Sequence, residues 1–361
     1  MTDLRFSGRI SRIPVYPAAD GYALGEDTAL LASNEAPFAP LEDVAQAAAQ
    51  AAAGAHRYPD PGSGRLRSAL AAKTGVDARL IAIGNGSCDI LLALGEAILE
   101  PGSEVVYAWP SFSIYPHLAA ASGAAAVQVP LDQQSRHDAD AMLAAVTDST
   151  RMLLICNPNN PTSTAIDSEA VARLVAGVPS HVCVVLDEAY REFMRGEPVD
   201  SNLALLENHP NLVILRTFSK VYGLAALRVG YGMCGSFEIK SAVDQVRQPF
   251  FCNAAAQAAA IEALRHDDEI ARRVGHMLDE RDDLAARLSG LGFGLASSEA
   301  NFLWAQLPNG ADEASVVREL ADRGILVRAG SALGEPGRLR ITVGLRQQHD
   351  RLIEALSELL G

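Results

Sequence analysis

The sequence predicts an α/β fold in which helices cover a mostly parallel β-sheet, together with a smaller α+β domain. Through the middle of the chain, short β-branched runs alternate with alanine-rich amphipathic segments, a pattern typical of repeated βαβ units. Several of these runs are apolar without alternation, as are strands that are buried on both faces of a parallel sheet. From about Gly292 the order changes to strand, helix, strand, strand and helix, which indicates the second domain.

Each element of the first domain is predicted from its own pattern. The strands are short apolar or β-branched runs, expected at Arg79–Ile83, Glu104–Ala108, Ala126–Pro130, Arg151–Cys156, His181–Asp187, Asn211–Arg216 and Arg228–Cys234. The helices are amphipathic segments, expected at Leu41–Ala53, Cys88–Leu99, Ala139–Val146 and Ser168–Val175, and in a long segment from Ala254 with a break near Asp267. Lys73 is expected at the end of a surface helix and Lys240 at the start of another.

The second domain is predicted to contain three strands and two helices. They are expected at Asn301–Leu307, Ile325–Arg328 and Arg338–Val343 for the strands and at Asp312–Arg323 and Gln348–Leu360 for the helices. The proline-rich stretch before about Pro40 has weak periodicity and is expected to cross between the domains. We therefore divide the chain into an N-terminal arm that forms part of the small domain, residues 1–40, the large domain, residues 41–265, and the small C-terminal domain, residues 266–361.

Composition and charge exclude several classes of function. With 44 Asp and Glu against 30 Lys and Arg, the formal net charge is -14, whereas a nucleic acid or an anionic membrane needs a basic partner surface. No apolar stretch approaches the ~18 residues of a membrane span, and the N-terminus lacks the apolar core of a signal peptide. The five cysteines lack C-x-x-C or metal-type spacing, which predicts a reduced, cytoplasmic protein without a metal.

Lysine is rare in this chain, and one lysine has neighbours that indicate chemistry. The sequence holds three lysines and 27 arginines, and Lys220 lies in the segment RTFSKVYGLAALRVGYG, just after a predicted strand. Ligand sites of α/β folds lie at that edge of the sheet, although an exposed loop lysine is the alternative. Desolvation and a nearby Arg228 would lower the pKa of Lys220 towards the neutral amine that Schiff-base chemistry requires. Ser219 and Arg228 together would form a fork for a phosphate.

Three further strand ends bear polar residues. The strand VVLD delivers Asp187 at its end, with Tyr190 three residues on, and a buried carboxylate needs a cation or a hydrogen-bond donor. The segment CNPNNPTS turns at two X-Pro steps and is compatible with either a plain loop or a site. The segment GNGSCD opens a helix directly after a strand, so it forms either an anion cradle or a plain helix start.

Together these motifs resemble those of the fold-type I pyridoxal-phosphate aminotransferases, in the branch of the histidinol-phosphate and aromatic aminotransferases. The resemblance spans nearly the whole chain, through LASNEAPF, RYPD, GNGS, CNPNNPT, DEAY, TFSKVYGL and LRITVG. It implies a three-layer α/β sandwich, pyridoxal 5'-phosphate as the cofactor and a homodimer with shared active sites. The chain departs from the family pattern at Cys88, where an acidic residue is usual, and at Ser163, where glycine is common.

The resemblance also implies roles for individual residues. Lys220 would bind the cofactor covalently and then transfer a proton, and Asp187 would pair with the nitrogen of the cofactor ring. Asn160 and Tyr190 would hydrogen-bond the phenolic oxygen of the ring, and Phe112, unless it is an ordinary core residue, would stack on the ring. The cofactor phosphate would be bound by Gly86, Ser87, Ser219 and Arg228, and by Tyr58 of the neighbouring subunit.

The substrate is expected to contact arginines and the N-terminal segment. Arg340 in LRITVG matches the arginine that binds the α-carboxylate of amino and oxo acids, or the phosphate of histidinol phosphate. Arg328 is a candidate for binding a distal anion, the alternative being an exposed surface arginine. Asn34 and Glu35 are expected to line the pocket, and Tyr16 to close it from the partner subunit.

We therefore expect an aminotransferase that passes an amino group from a small-molecule donor, glutamate, to an oxo acceptor. Imidazole acetol phosphate, which gives histidinol phosphate in histidine biosynthesis, is placed first as the acceptor. Aromatic 2-oxo acids, which give phenylalanine or tyrosine, are the alternative. A pyridoxal-phosphate decarboxylase or lyase of the same fold is a more distant alternative.

Overall fold

A computed structural model of the chain describes residues 5–8, 10–13, 25, 27–308 and 310–360. The strands are β1 Ala29–Leu30, β2 Ile81–Gly84, β3 Glu104–Trp109, β4 Ala125–Pro130, β5 Thr150–Cys156, β6 Cys183–Asp187, β7 Leu212–Thr217, β8 Gly230–Cys234, β9 Gly294–Leu295, β10 Phe302–Gln306, β11 Ile325–Leu326, β12 Arg328–Ala329 and β13 Arg338–Thr342. The helices are α1 Glu42–Ala52, α2 Gly64–Thr74, α3 Ser87–Ile98, α4 Ile114–Ser122, α5 Ala139–Ala144, α6 Ser168–Gly177, α7 Phe237–Val246, α8 Ala254–Ala263, α9 Asp267–Gly290, α10 Glu313–Asp322 and α11 Arg346–Leu360.

Seven strands form the central sheet in the order β2-β8-β7-β6-β5-β3-β4. Neighbouring strands run parallel, except that β8 is antiparallel to both β2 and β7. Strands β6 and β7 are buried at every position, which explains why their sequences are apolar without alternation. The predicted, mostly parallel sheet is confirmed.

Helices cover both faces of the central sheet, because successive side chains of a strand point to opposite faces. On β5, Leu153 and Ile155 join one apolar core with residues of α1, α2, α5, α6 and α8. Met152 and Leu154 of the same strand join a second core with residues of α3, α4 and α7. The result is the three-layer α/β sandwich that the family resemblance implies.

A second sheet lies in the C-terminal part of the chain. Its order is β12-β13-β10-β9, and its pairs are antiparallel. Helices α9, α10 and α11 contribute Leu284, Leu320 and Leu356 to a third apolar core that also contains residues of β10 and β13. The N-terminal arm takes part as well, since β1 pairs in parallel with β11. The division of the chain after residues 40 and 265 stays a prediction.

Local differences from the predictions include a divided strand, an additional helix and a buried lysine. The predicted strand Ile325–Arg328 is two strands, because β11 pairs with β1 whereas β12 pairs with β13 in the other sheet. Helix α4 was not predicted, since Pro116 interrupts its pattern, although a first helical turn tolerates proline. Lys240 lies inside α7 and is buried rather than on the surface, because its ammonium group pairs with Asp244 one turn later.

The long helical segment near the C-terminal domain breaks as predicted. Helix α8 ends at Ala263 and α9 begins at Asp267. With 24 residues, α9 is long enough to cross a bilayer, but its first turn alone has three acidic residues. Across the described ranges, no helix has both the length and the apolar character that a membrane span requires.

Helix α3 allows a matched test of the core beneath it. Leu94 is fully buried in this helix, whereas Leu92, on the same helix, is 37% exposed. Leu94→Ala should lower the free energy of unfolding by about 2–5 kcal/mol, because it leaves a cavity in the core. Leu92→Ala should change that free energy by about 0.5 kcal/mol or less. Guanidinium titrations of both variants measure the difference, and equal losses would contradict this packing.

Candidate active site

A cavity of about 610 Å³ lies at the carboxyl edge of the central sheet. Strands β5, β6 and β7 contribute their last residues, Cys156, Asp187 and Thr217, and α3 contributes its first. Residues 32–35 of the N-terminal arm, β12 and β13 also line the cavity. Open α/β sheets bind ligands at this edge, where loops from different strands meet. The topology therefore gathers side chains that are far apart in the sequence.

One part of the cavity wall is arranged to bind an anion. Helix α3 begins at Ser87, and Gly86 before it has a left-handed backbone with φ 80°. A Cβ atom at position 86 would lie 2.7 Å from Nη2 of Arg228, so glycine permits this close approach. Arg228 donates to two backbone carbonyl groups, at 2.8 and 3.3 Å, and its Nη1 lies 3.5 Å from Ser219 Oγ. The guanidinium, the serine hydroxyls and the first N–H groups of α3 together suit a phosphate.

The carboxylate of Asp187 is buried at the end of β6. Asp187 is 5% exposed, and its Oδ1 accepts a hydrogen bond from the Ala189 amide at 3.1 Å. Burial raises the pKa of Asp187 to about 6, and the neighbouring charge of Glu188 acts in the same direction. A cationic donor would stabilise the ionised carboxylate, and a protonated ring nitrogen of a ligand is such a donor.

Lys220 presents an amine that is close to neutral at pH 7. Its Nζ donates to the Ser33 carbonyl at 3.2 Å and lies 5.7 Å from the centre of the Tyr190 ring. Burial, together with the positive charges of Arg340 and Arg228, lowers the pKa of Lys220 to about 7. The neutral, nucleophilic form of the amine is therefore well populated at physiological pH.

A hydrogen-bonded network joins Tyr190 to Arg340. The Tyr190 hydroxyl accepts from Asn34 Nδ2 at 3.0 Å and from Asn160 Nδ2 at 3.5 Å. Arg340 donates from Nη1 to Asn160 Oδ1 at 2.7 Å and from Nη2 to the Ala32 carbonyl. Burial raises the pKa of Tyr190, which keeps its hydroxyl protonated. Because these contacts orient the buried Arg340 guanidinium, it is suited to anchor a second anion.

Most residues that the sequence assigns to the site line this one cavity. They are Asn34, Glu35, Gly86, Ser87, Phe112, Asn160, Asp187, Tyr190, Ser219, Lys220, Arg228, Arg328 and Arg340. Phe112 also packs edge-on against Tyr115, with 5.8 Å between the ring centres. Tyr58 does not line the cavity of its own chain, and it is 81% exposed. Tyr16 lies outside the described residues.

Sequence reasoning missed several residues that line the cavity. Ser33 contributes its backbone carbonyl, and a motif of side chains does not indicate where a backbone carbonyl will act. Cys156 and Leu333 also line the cavity, but nothing in the sequence distinguishes them from residues of the apolar core. Burial raises the pKa of Cys88 to about 11, so a neutral thiol stands where the family usually has an acid. Within the described ranges, no group of three or more His, Cys, Asp or Glu side chains is arranged to bind a metal ion.

Asn159 fixes the turn in CNPNNPTS, although the motif gives no reason to single it out. Its Oδ1 accepts from Ser111 Oγ at 2.7 Å and lies 3.2 Å from His137 Nε2. Its Nδ2 donates to Thr162 Oγ1 at 2.8 Å. Burial lowers the pKa of His137 to about 4, so the ring is neutral. These contacts set the position of the next residue, Asn160, in the cavity wall.

The chain is similar to known proteins over most of its length. Residues 26–356 match the family described as aminotransferase class I and II. An aromatic amino acid aminotransferase from Thermobifida fusca is 44% identical over 90% of this chain and 89% of its own. A histidinol-phosphate aminotransferase from Moorella thermoacetica is 40% identical over 93% of this chain and 86% of its own. The crystal structure of histidinol-phosphate aminotransferase from Sinorhizobium meliloti in complex with pyridoxal-5'-phosphate is 29% identical, with a TM-score of 0.87 over 99% of this chain and 97% of that chain.

The raised pKa of Asp187 predicts that this residue destabilises the protein when no ligand is bound. The pKa of Asp187 is about 6 in the folded protein, above its ordinary value of 3.8. The free energy of unfolding therefore falls as the pH rises from about 4 to about 6, and this residue causes no further loss at higher pH. Asp187→Asn in the ligand-free protein should therefore raise the free energy of unfolding by up to about 3 kcal/mol at pH 8. The gain should shrink as the pH falls towards 4.

Denaturant titrations at several pH values measure this gain. Asp148→Asn, at an exposed aspartate in a loop, is the matched control and should show no comparable pH-dependent gain. A loss of stability in Asp187→Asn at pH 8 would mean that the carboxylate is better solvated than its burial indicates.

Proposed function

We propose that this chain, which belongs to the class I and II aminotransferases, transfers an amino group from glutamate to an aromatic 2-oxo acid. Enzymes of this family use pyridoxal 5'-phosphate and exchange amino and oxo groups between two substrates. The observation that carries this proposal is the near-neutral amine of Lys220, which shares one cavity with the buried Asp187 carboxylate and two sites for anions. One anion site, at Arg228, suits the phosphate of the cofactor, and the other, at Arg340, suits a substrate carboxylate.

The residues of the cavity fit pyridoxal phosphate group by group. The close approach of Gly86 and Arg228 leaves backbone N–H groups and a guanidinium for the phosphate. The buried Asp187 carboxylate accepts a hydrogen bond from the Ala189 amide and would accept another from the protonated ring nitrogen. Phe112 is placed to contact the ring. When bound, the cofactor supplies a ring that withdraws electrons from the substrate carbon.

The remaining side chains would bind, orient and transfer protons. We assign to Lys220 Nζ the covalent attachment of the cofactor and the transfer of a proton at the substrate carbon, since a pKa of about 7 lets this amine both accept and release one. Asn160 and Tyr190 would donate hydrogen bonds to the phenolic oxygen of the ring. Arg340 would fix the substrate by its α-carboxylate, and the Asn160 contact at 2.7 Å couples that arginine to the cofactor side of the cavity.

The choice of acceptor reverses the order expected from the sequence, which placed imidazole acetol phosphate first. Identity to the aromatic relative, 44%, exceeds identity to the histidinol-phosphate relative, 40%. The cavity also offers an apolar contact for a substrate ring, from Leu333, in addition to Phe112, which is assigned to the cofactor ring. Both observations support phenylpyruvate or 4-hydroxyphenylpyruvate as the acceptor.

We propose further that the chain acts as a homodimer in the cytoplasm. The exposed aromatic ring of Tyr58, which its own cavity does not use, supports a site shared between subunits. The five cysteines are free thiols, which supports a reducing compartment. Sedimentation should give about twice the 38.2 kDa of one chain.

A half-reaction comparison tests the choice of substrate. Enzyme converted to its pyridoxamine form is mixed with phenylpyruvate or with imidazole acetol phosphate, and kcat/KM is measured for each by the change in absorbance. Phenylpyruvate should be preferred by about tenfold or more, a difference of about 1.4 kcal/mol in transition-state binding. Lys220→Ala serves as the control for uncatalysed exchange. A preference for imidazole acetol phosphate would identify the histidinol-phosphate activity instead.

Arg328 should distinguish glutamate from phenylalanine, which is the amino donor when the proposed reaction runs in reverse. It lines the cavity, and its guanidinium is suited to the distal carboxylate of glutamate, which phenylalanine lacks. Arg328→Leu should lower kcat/KM for glutamate about 10- to 100-fold, the value of a charged hydrogen bond. For phenylalanine the change should stay within about threefold.

The control for Arg328→Leu is Arg318→Leu, which removes an exposed arginine that does not line the cavity. It should leave both donors unaffected. An equal loss with glutamate and phenylalanine in Arg328→Leu would show that Arg328 supports the fold or the α-carboxylate rather than the distal group.

A further inference from the structure

An exposed aromatic pair lies outside the cavity. Tyr58, in the loop between α1 and α2, stacks on Phe250, in the loop between α7 and α8, with 4.4 Å between ring centres and 20° between ring planes. Tyr58 is 81% exposed and Phe250 is 39% exposed. Two large rings left this open to water are expected to have a partner or a function elsewhere, because their burial would be favourable.

A buried glutamine side chain connects the two loops that carry this aromatic pair. A single side chain, Gln257 of α8, donates from Nε2 to the carbonyl of Asp60 at 3.2 Å and to the carbonyl of Cys252 at 2.9 Å. It thereby ties the loop of Tyr58 to the loop of Phe250, and Gln257 itself is buried. These two hydrogen bonds hold the loops in a fixed position relative to each other.

Phe250 adopts a backbone conformation that bulky residues rarely take. Its φ is 57°, in the left-handed region, where a side chain with a Cβ atom is strained. Such strain persists only where surrounding contacts fix it, and it is common at functional positions. Here the strained backbone places the Phe250 ring against the Tyr58 ring.

We propose that Phe250 is a positioning residue for Tyr58, holding the phenol ready to donate to the cofactor phosphate of the partner subunit. This inference rests on the proposed homodimer with shared sites. An exposed tyrosine on a loop would lose rotational freedom when it reached across an interface. Stacking on Phe250 restricts the ring before the subunits meet, so less freedom is lost on binding. Phe250 would then act on the site of the partner and not on its own.

Cofactor retention in the holoenzyme measures this effect. Tyr58→Phe removes the hydroxyl and should speed loss of pyridoxal phosphate about tenfold or more, as expected for a hydrogen bond to a charged group. Phe250→Leu removes the stacking and should speed the loss about 2- to 12-fold. Added to Tyr58→Phe, it should have no further effect, because the hydroxyl that it positions is already absent. Phe237→Leu, at another exposed phenylalanine, is the matched control and should retain the cofactor normally.

Mixed dimers decide whether Phe250 acts across the interface. Chains with Phe250→Leu are combined with chains with Lys220→Ala, and pyridoxal phosphate that can be fixed to Lys220 by borohydride is followed over time. The site with an intact Lys220 then faces an intact Tyr58 and Phe250 from its partner, so it should lose the cofactor at the wild-type rate.

The possible outcomes separate this inference from the proposed dimer. Loss from the mixed dimer as fast as from the Phe250→Leu homodimer would overturn the positioning role, as would a Phe250→Leu effect that persists undiminished in the Tyr58→Phe background. A monomer in solution, or unchanged retention in Tyr58→Phe, would instead refute the shared site itself. Normal retention in Phe250→Leu with impaired retention in Tyr58→Phe would refute the positioning role alone.

Discussion

Burial of Asp187 and Lys220 in one cavity is the constraint on which the rest of the structure depends. Water stabilises a carboxylate and an ammonium better than a protein interior does, so burial raises the pKa of Asp187 to about 6 and lowers the pKa of Lys220 to about 7. Lys220 therefore changes protonation near neutral pH, as proton transfer requires, whereas the desolvated Asp187 carboxylate is suited to a cationic ligand group. The same shifts reduce folding stability, and the apolar cores on both faces of the central sheet must offset that loss.

The dipeptide Asp187-Glu188 shows how the fold separates a structural carboxylate from a functional one. Glu188 is fully satisfied within the protein, since it accepts from Arg216 Nε at 2.9 Å and from Asn202 Nδ2 at 2.7 Å. Arg216 also donates to Asp200 at 2.6 Å. A buried ion pair with such complete hydrogen bonding is tolerated well. Asp187 points to the cavity instead, where a ligand has to supply the missing partner.

Much of the fold and of the cofactor side of the site could be predicted from the sequence, because both depend on local patterns. Apolar runs without polar alternation predict the central strands. The polar residues that follow these strands, such as Asp187 and Lys220, meet in one cavity because the carboxyl ends of parallel strands lie at the same edge of the sheet. Contacts that join distant segments left no such pattern. The bonds of Asn159 to Ser111 and His137, and the carbonyl of Ser33 near Lys220, depend on tertiary packing alone. The burial of Lys240 escaped prediction for the same reason, since its environment depends on how α7 packs.

The identity of the lysine that binds the cofactor is the point on which the proposed chemistry depends most directly. Purified holoenzyme can be reduced with borohydride, digested and mapped by mass spectrometry, so that the residue linked to pyridoxal phosphate is identified. The buried, near-neutral amine predicts the added mass on the peptide that contains Lys220 and on no other. The same mass on Lys73 or Lys240, or a reduced enzyme without any modified peptide, would contradict the proposed site.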